Sequence, residues 1–295
     1  MTLRRALSAV NGFVSEQVQI IRVDRLAVAG AAILVAFIAV AILAPVIAPY
    51  DPMQMCRDEN GRVLYLAPPS KAHWFGTTNL GRDIFSQVVL GTRIALLVGF
   101  LAALLVTLVG VTIGVCAGYY GGLTDSLLMR LVDVAYTIPF EPFVIILVNI
   151  LRPNIWNLIL AMIIVMWRAP ARTVRAQVMS IKARPYIKAA RVAGASDVRI
   201  MLYHILPNIM PLVFLYIAVT VGWAIMAEAG VSFLGFGDPS VTSWGQILQL
   251  AFLTGAMRQA WWWTVPPGIC ITLVVLSVFF VSRAYERIAN PRLLD

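Results

Sequence analysis

Two acidic residues, Glu141 and Glu228, lie within or beside long apolar segments of the chain. An ionisable side chain inside a bilayer is costly and by default suggests a functional role. Glu141 follows Ile138-Pro139, and a proline inside a helix frees a carbonyl group and kinks the helix. Both carboxylates are therefore candidates for the lining of a translocation pathway. For Glu141 the alternatives are an ion pair with Arg152 or Arg168, or a position near the lipid headgroups. For Glu228 the alternative is an interfacial position near the end of its span.

Residues that would carry catalysis or bind a metal do not form any recognisable pattern. The chain contains no G-x-x-x-x-G-K-[ST], G-x-S-x-G or H-E-x-x-H sequence. Its two histidines, His73 and His204, lie far apart, and its three cysteines, Cys56, Cys116 and Cys270, are equally scattered. No catalytic residue, metal site or cofactor site is therefore predicted in this chain.

The stretch 172–206 carries local signals for two short helices joined by a glycine. Pro185 suits the first turn of a helix, where its missing N–H is not needed. Gly194 can end that helix by adopting a positive φ. Ser196 can then cap a second helix, with Asp197 in its favourable first turn. On these residues alone two roles remain open: a docking ridge for another protein, or an amphipathic loop held at lipid headgroups.

The elements that must position these residues are membrane helices. Of the 295 residues, 60% are hydrophobic and only 13% charged, and the mean hydropathy is +0.85. A soluble domain is about half apolar and about a quarter charged, so the composition predicts an all-α polytopic membrane protein. The net charge of +9 is then explained by basic cytoplasmic loops rather than by nucleic-acid binding.

Six segments are long and apolar enough to span a bilayer, which needs about 20 such residues per helix. The first follows a basic stretch and could be a signal peptide, but its apolar run exceeds the 7–15 residues typical of a signal sequence, which favours an uncleaved helix. The predicted spans are 26–48, 93–118, 128–150, 155–171, 207–234 and 262–283.

The distribution of basic residues predicts the orientation. With the N-terminus inside, 16 of the 23 Lys and Arg residues lie on the cytoplasmic side and 7 outside, as the positive-inside rule requires. Both termini are therefore expected in the cytoplasm. The resulting divisions are a cytoplasmic N-terminal segment (1–25), the first span (26–48), an external loop (49–92), a five-helix core (93–283) that contains the cytoplasmic loop 172–206, and a cytoplasmic tail (284–295).

Two patterns within the spans predict local contacts. Gly110, Gly114 and Gly118 recur every fourth residue, a spacing that lets two helix backbones approach closely. This stripe predicts packing within the subunit or, alternatively, at an interface between subunits. Asp133 is expected to form a local ion pair with Arg130, three residues earlier.

The stretch 172–206 also resembles the EAA loop of ABC importer permeases. Lys188-Ala189-Ala190 is followed by three residues, Gly194, nine residues and His204-x-Leu206-Pro207. Lys188 occupies the position at which the family has a glutamate. The resemblance implies that the loop contacts an ATPase subunit through the residues Pro185, Lys188, Ala189, Ala190, Ala193, Gly194, Ala195, Ser196, Asp197, Leu206 and Pro207.

Further segments resemble the C-type permease subunit of the peptide, nickel and oligosaccharide family of ABC importers. They are the stretch from His73 to Gly99, with its Phe-Gly-Thr and Gly-Arg-Asp sequences, the stretch from Ser232 to Gly245, and Asn290-Pro291-Arg292-Leu293. The resemblance extends from about residue 26 to the C-terminus. Glu141-Pro142 and Gln87 depart from the residues usual in this family.

The resemblance implies the fold of a type I ABC importer permease in the inner membrane of a bacterium. The implied partners are a homologous second permease, two ATP-binding cassette subunits and an external solute-binding protein. ATP and Mg²⁺ would bind to the ATPase subunits, so this chain would not be an enzyme. The alternative function is a secondary transporter or channel that works alone, for which the chain lacks an internal repeat.

Overall fold

The computed structural model describes residues 21 and 24–289, and its regular structure there is helical. No strand occurs in this part of the chain, which has only two isolated β-bridges, both in the loop before the second span. The predicted all-α class is confirmed. Most of the predicted N-terminal segment 1–25 and the ending Asn290–Leu293 lie outside the described residues.

The helices follow one another along the chain with short connections, apart from the loop between the first two. We label the α-helices α1 (Arg25–Ile47), α2 (Ile84–Tyr120), α3 (Gly122–Thr137), α4 (Phe140–Leu151), α5 (Ile155–Met166), α6 (Arg168–Lys182), α7 (Pro185–Val192), α8 (Asp197–Ile200), α9 (Leu206–Val231), α10 (Trp244–Leu253) and α11 (Trp261–Ala289). Two π-helical segments, Met201–Ile205 and Ser232–Phe236, flank α9, and a short 3₁₀ helix, Ala256–Arg258, precedes α11.

The six predicted spans correspond to four continuous helices and two bent pairs. The stretches Arg25–Ile47, Ile84–Tyr120, Asp197–Phe236 and Trp261–Glu286 are each long and apolar enough to cross a membrane. The pair α3–α4 is bent by 87° and the pair α5–α6 by 41°. The sharper bend falls at Ile138-Pro139, because a proline cannot continue the backbone hydrogen bonding of α3.

Several helix boundaries differ from the predicted ones. The second span begins at Ile84 instead of 93, because the Asp83 side chain accepts the N–H of Ser86 (2.7 Å) and caps the helix. The fifth begins at Asp197 instead of 207, and its π-helical segment Met201–Ile205 precedes Pro207. The wider turn accommodates this proline, which has no N–H to donate.

Helix α2 lies at the centre of the bundle and α1 at its edge. Of the most apolar window of α2, 56% is buried, compared with 11% for α1, so most of the surface of α1 faces away from the other helices. The indole of Trp244 is fully buried, and its N–H donates to the carbonyl of Val88 (2.9 Å). This contact fixes the unpredicted helix α10 against α2.

The loop between α1 and α2 is packed onto the start of α2. The Nδ1 atom of buried His73 lies 2.9 Å from Oδ1 of Asp83. The backbone N–H of Tyr50 donates to Ser86 Oγ (3.2 Å), and the Gln87 amide donates to the carbonyl of Pro52 (2.9 Å). These contacts hold both ends of the loop at the same helix terminus.

Candidate coupling surface and translocation cavity

The stretch after α6 adopts the predicted helix–glycine–helix geometry. Pro185 occupies the first turn of α7, and Gly194 has a φ of +83°. The N–H groups of Gly194 and Ala195 donate to the carbonyls of Arg191 (3.0 Å) and Ala190 (3.1 Å), which closes the helix end. Ser196 Oγ accepts the N–H of Arg199 at 3.4 Å and starts α8, with Asp197 in its first turn. The predicted conformation is confirmed.

One face of α7 is anchored to the bundle and the other is free. The side chain of Ile187 is buried among apolar residues of α6 and α8. The opposite surface, which we call the coupling ridge, consists of the exposed residues Lys188, Ala189, Val192 and Ala193. Val192 is 89% exposed, so a large apolar group lies beside two small ones on a surface that another protein could cover.

The remaining predicted coupling residues lie beside the ridge or in another element. Ala190 and Ala195 are half-buried, whereas Pro185, Gly194, Ser196 and Asp197 are exposed. Leu206 and Pro207 belong to the first turn of α9. The structure thus places most of the predicted set on α7 and the turn that follows it.

Tyr119, which the sequence analysis missed, joins α2 to this segment. Its side chain is 2% exposed, and its hydroxyl donates to Asp197 Oδ1 (2.5 Å) and accepts from Arg191 Nη2 (3.1 Å). Its backbone carbonyl accepts a hydrogen bond from the Lys182 ammonium group. The end of α2 is therefore bonded to α6, α7 and α8 at one residue.

The sequence contains only a weak signal for this role. Tyr119 and Tyr120 are adjacent at a helix end marked by Gly121-Gly122, which identifies the terminus but not the inward-facing tyrosine. Tyr120 is 49% exposed. Which of the two tyrosines faces the bundle depends on the rotation of α2 about its axis, and the predicted span does not specify that rotation.

Two ion pairs link α3 to α6 across the bend region. Arg175 binds Asp125 through both carboxylate oxygens, with Nη2 2.5 Å from Oδ2. Arg172 Nη2 lies 2.5 Å from Asp133 Oδ1. The predicted local pair of Asp133 with Arg130 is wrong, because α6 brings an arginine closer to that carboxylate than its own helix does.

The glycine stripe of α2 packs against α6 of the same subunit. A Cβ atom at Gly110, Gly114 or Gly118 would lie 2.6–2.8 Å from the nearest atom of α6. At Gly110 it would also lie 2.8 Å from the carbonyl oxygen of Trp167. Real Cβ atoms do not approach other atoms so closely, so α6 could not lie here against alanine. Of the two predicted contacts, the structure shows packing within the subunit.

A cavity of about 300 Å³ lies beside the break between α3 and α4. Glu141, in the first turn of α4, lines it and is exposed. Among the described residues, no side chain forms a hydrogen bond or ion pair with its carboxylate, so the predicted pairs with Arg152 and Arg168 are not formed. The cavity is lined by Tyr136, Phe140, Glu141, Met166, Arg168, Ala169, Pro170, Tyr216, Val219, Thr220 and Trp223.

Arg168 lines the same cavity and stabilises the break. Its Nη1 donates to the carbonyls of Ala135 (2.5 Å) and Ile138 (3.2 Å), which have no helical partner beyond Pro139. Its guanidinium also lies 4.9 Å from the ring centre of Tyr136, within range of a cation–π contact. The arginine thus satisfies two carbonyl groups at the break, a role that differs from the ion pair with Glu141 considered from the sequence.

Glu228 occupies a different environment from Glu141. Its side chain is 3% exposed, and Oε1 accepts the hydroxyl of Ser232 at 2.7 Å. Its Oε2 atom has no hydrogen-bond partner among the described residues. In this structure Glu228 packs where α9 meets the π-helical segment Ser232–Phe236, and its role in the pathway stays a prediction.

The loop before α10 is fastened to α5 by Asp238. Its carboxylate accepts the N–H of Ile155 (3.1 Å) and both the N–H (2.9 Å) and the hydroxyl (2.5 Å) of Ser240. Burial acts to raise the pKa of Asp238, but these hydrogen bonds outweigh it, and the pKa lies below its ordinary value. The carboxylate is therefore ionised under neutral conditions.

No candidate metal site occurs in the part of the chain that the structure describes. Groups of three or more His, Cys, Asp or Glu side chains suited to hold an ion are absent from residues 21 and 24–289. Cys56, Cys116 and Cys270 are all free thiols.

Two family profiles match the sequence. Residues 110–295 match the binding-protein-dependent transport system inner membrane component, and residues 15–69 match the N-terminal transmembrane domain of oligopeptide transport permease C. The first match alone covers more than half of the chain.

Curated relatives and solved structures agree with these profiles. The dipeptide transport system permease protein DppC of Bacillus subtilis is 35% identical over 92% of this chain and 83% of that protein. The oligopeptide transport system permease protein OppC of the same organism is 38% identical over 92% and 87%. A chain from inward-facing conformations of the MetNI methionine ABC transporter shares the fold, with a TM-score of 0.54 and 18% identity over 68% of this chain and 94% of that one.

Proposed function

Because the chain belongs to the family of binding-protein-dependent transport system inner membrane components, we propose that it forms half of the pathway of an ATP-driven importer. It is a membrane-spanning permease of the peptide-transport branch of this family. A homologous permease would supply the other half, two ATPase subunits the energy, and an external binding protein the solute. The membrane would be the inner membrane of a bacterium, with both termini of the chain in the cytoplasm.

The observation that carries the coupling proposal is the anchoring of α7. A short helix on a loop would move independently of the bundle if only backbone connected them. Here the Ile187 side chain on the inner face of α7 is buried. Arg191 and Asp197 both form hydrogen bonds with the Tyr119 hydroxyl at the end of α2. A force applied to the coupling ridge would therefore reach the spanning helix α2 directly.

The proposed mechanism is alternating access. Nucleotide binding would close the two ATPase subunits and shift the groove that holds the coupling ridge. Because the contacts between α7, α6 and α2 are close-packed, the segment would move as a unit and tilt the spans. Such a machine needs an element with two arrangements whose balance the nucleotide changes. This chain would itself hydrolyse no ATP, since it lacks a phosphate-binding loop.

The cavity beside Glu141 is the part of the chain best suited to line the pathway. It lies at the break of a span, where polar groups are tolerated only when they are covered by protein or face water. The transported solute would be peptide-like, as the names of the relatives indicate for those proteins. Glu141→Gln should lower uptake while the ATPase subunits stay bound.

A matched pair of glycine variants tests the coupling proposal. Gly194→Val places a β-branched residue at a φ of +83°, which costs on the order of 1–2 kcal/mol in backbone strain and displaces α8 relative to the coupling ridge. Gly61→Val places the same residue at a φ of +76° in the external loop. At both positions an added Cβ meets no atom within 4 Å, so the two substitutions differ mainly in location.

The measurement is uptake per ATP hydrolysed by the complex in liposomes, together with recovery of the ATPase subunits. We expect Gly194→Val to lower the ratio severalfold and Gly61→Val to leave it unchanged. Wild-type coupling and normal subunit recovery in Gly194→Val would show instead that the loop only anchors the protein to lipid. Absence of ATP-dependent uptake by the wild-type complex would contradict the proposed function as a whole.

A further inference from the structure

The carboxylate of Glu141 is available to a ligand. It is exposed to the 300 Å³ cavity and forms no hydrogen bond or ion pair with any described residue. A charged group inside an apolar span is retained only when it is paired or solvated by something. No described residue bonds this carboxylate, so it is accessible to a molecule that enters the cavity.

Arg168 lines the same cavity, but its hydrogen bonds among the described residues go to the backbone at the break and not to Glu141. Arg168 is the only residue of opposite charge among those that line the cavity. Its Nη1 is bonded to the carbonyls of Ala135 and Ile138, and its guanidinium lies over the ring of Tyr136. Moving Nη1 to Glu141 would leave the carbonyl groups of Ala135 and Ile138 without this donor.

The remaining walls of the cavity favour an organic cation over an inorganic one. Phe140, Met166, Val219 and Trp223 present apolar surface around the carboxylate. The indole of Trp223 is 55% exposed, and an aromatic face attracts an ammonium group. A metal ion would need several oxygen ligands, and Glu141 is the only carboxylate that lines the cavity.

We propose that Glu141 and Trp223 form a subsite for a primary ammonium group carried by the transported solute. The ammonium group would bind the carboxylate, and the apolar part of the solute would lie against Phe140 and Trp223. Solutes without a positive charge would leave the Glu141 carboxylate without a partner and would pass less readily. This inference rests on the proposed function, because it assigns the cavity to the pathway of the importer.

The test uses thiol chemistry in the assembled complex, without ATP, so that it does not depend on uptake. Cys56, Cys116 and Cys270 are replaced by serine or alanine, and Val219→Cys places one thiol on the cavity wall. The reagents are a cationic trimethylammonium-ethyl and an anionic sulfonatoethyl methanethiosulfonate. Removing the charge at Glu141 should lower the ratio of cationic to anionic reaction rates by about fivefold, since it acts in opposite directions on the two reagents.

Matched variants separate the carboxylate from general effects. Glu141→Gln should lower the ratio, Glu141→Asp should keep it high, and Glu59→Gln, at an exposed position of the external loop, should not change it. Propylammonium should slow modification of the thiol by N-ethylmaleimide only when position 141 carries Glu or Asp. Propionate should not slow this reaction in any variant. Equal ratios in all variants, or a thiol that neither reagent reaches, would overturn the subsite. If the wild-type complex showed no ATP-driven uptake although the thiol results were as expected, the proposed function would be contradicted and the subsite would not.

Discussion

The hydroxyl of Tyr119 lies 2.5 Å from a carboxylate oxygen of Asp197, although 78 residues separate them in the chain. Tyr119 is at the end of the central helix α2, and Asp197 starts α8 immediately after the glycine turn. The same hydroxyl accepts a hydrogen bond from Arg191 of α7. One buried phenol, together with the buried side chain of Ile187, thus holds α7 and the start of α8 against the bundle.

Tyr119→Phe should weaken coupling while preserving the packing of the ring. The change removes the hydrogen bonds to Asp197 and Arg191, and hydrogen bonds to charged groups each contribute about 1.5–3 kcal/mol. Because both partners are exposed, water would recover part of this loss. We expect a severalfold lower uptake per ATP hydrolysed in the reconstituted complex, with the amount of folded protein little changed.

Tyr120→Phe is the matched control for this prediction. It removes the same atom from the neighbouring residue, whose side chain is 49% exposed. Uptake per ATP should equal that of the wild type. If both variants behave alike, the hydroxyl of Tyr119 has no part in coupling, and the anchoring of α7 depends on Ile187 alone.

The orientation of the chain can be tested by labelling single cysteines in intact cells. Asn60 and Arg184 are both exposed, in the loop before α2 and the turn before α7 respectively. In a variant without the three native cysteines, a membrane-impermeant maleimide should label Asn60→Cys. It should label Arg184→Cys only after the cells are opened. Labelling of position 184 in intact cells would reverse the topology proposed from the basic residues.

Gly114→Ala should destabilise the protein even though alanine favours helices. In an open helix interior the change would gain about 1 kcal/mol. At Gly114, however, the new Cβ would lie 2.6 Å from the Ala171 carbonyl and 2.8 Å from Val174 Cβ, and overpacking of this kind costs about 1–3 kcal/mol. The clash should therefore win, and the unfolding temperature in detergent should fall.

Gly230→Ala provides the opposite case in another spanning helix. No atom lies within 4 Å of the Cβ it would add, so the intrinsic preference for alanine should raise or preserve the unfolding temperature. A stabilised Gly114→Ala variant would show that α2 and α6 are not in close contact.

Asp238 should contribute stability that disappears in acid. Its pKa is lowered in the folded protein, so the stabilisation is fully present above the unfolded value of about 4. It is lost as the pH falls through the folded value. The difference in unfolding temperature between the wild type and Asp238→Asn should therefore shrink as the pH falls from 6 towards 3. The same series with Glu59→Gln, an exposed carboxylate elsewhere in the chain, reports changes that are not specific to Asp238.

Local sequence signals predicted the backbone conformation of residues 185–200 well. Pro185, Gly194 and Ser196 each act through backbone geometry within a few residues, and the structure has the helix, the positive φ and the cap at these positions. The apolar spans were equally recognisable, because bilayer thickness dictates their length. For the same reason the all-α class required no knowledge of tertiary contacts.

Contacts between distant residues could not be predicted in this way. Asp133 binds Arg172 rather than Arg130 because α6 folds back along α3. The sequence indicated a kink at Pro139, but neither its angle of 87° nor the hydrogen bonds from Arg168 to the carbonyls of Ala135 and Ile138. Both outcomes follow from the relative placement of helices, which a single sequence does not specify.

The helical stretch Asp197–Phe236 contains 40 residues and keeps a helical backbone as far as Gly235, where φ is +97°. At 1.5 Å per residue its helical part is roughly 55 Å long, nearly twice the thickness of a bilayer core. One end begins at the carboxylate that Tyr119 binds, and the other lies two residues before Asp238, which is bonded to α5. If the helical part of this stretch tilted as a unit around its middle, a tilt of about 10° would displace each tip by roughly 5 Å in opposite directions. A small rotation at Asp197, beside the coupling ridge, would then reach the loop that Asp238 fastens to α5, at the other end of the stretch.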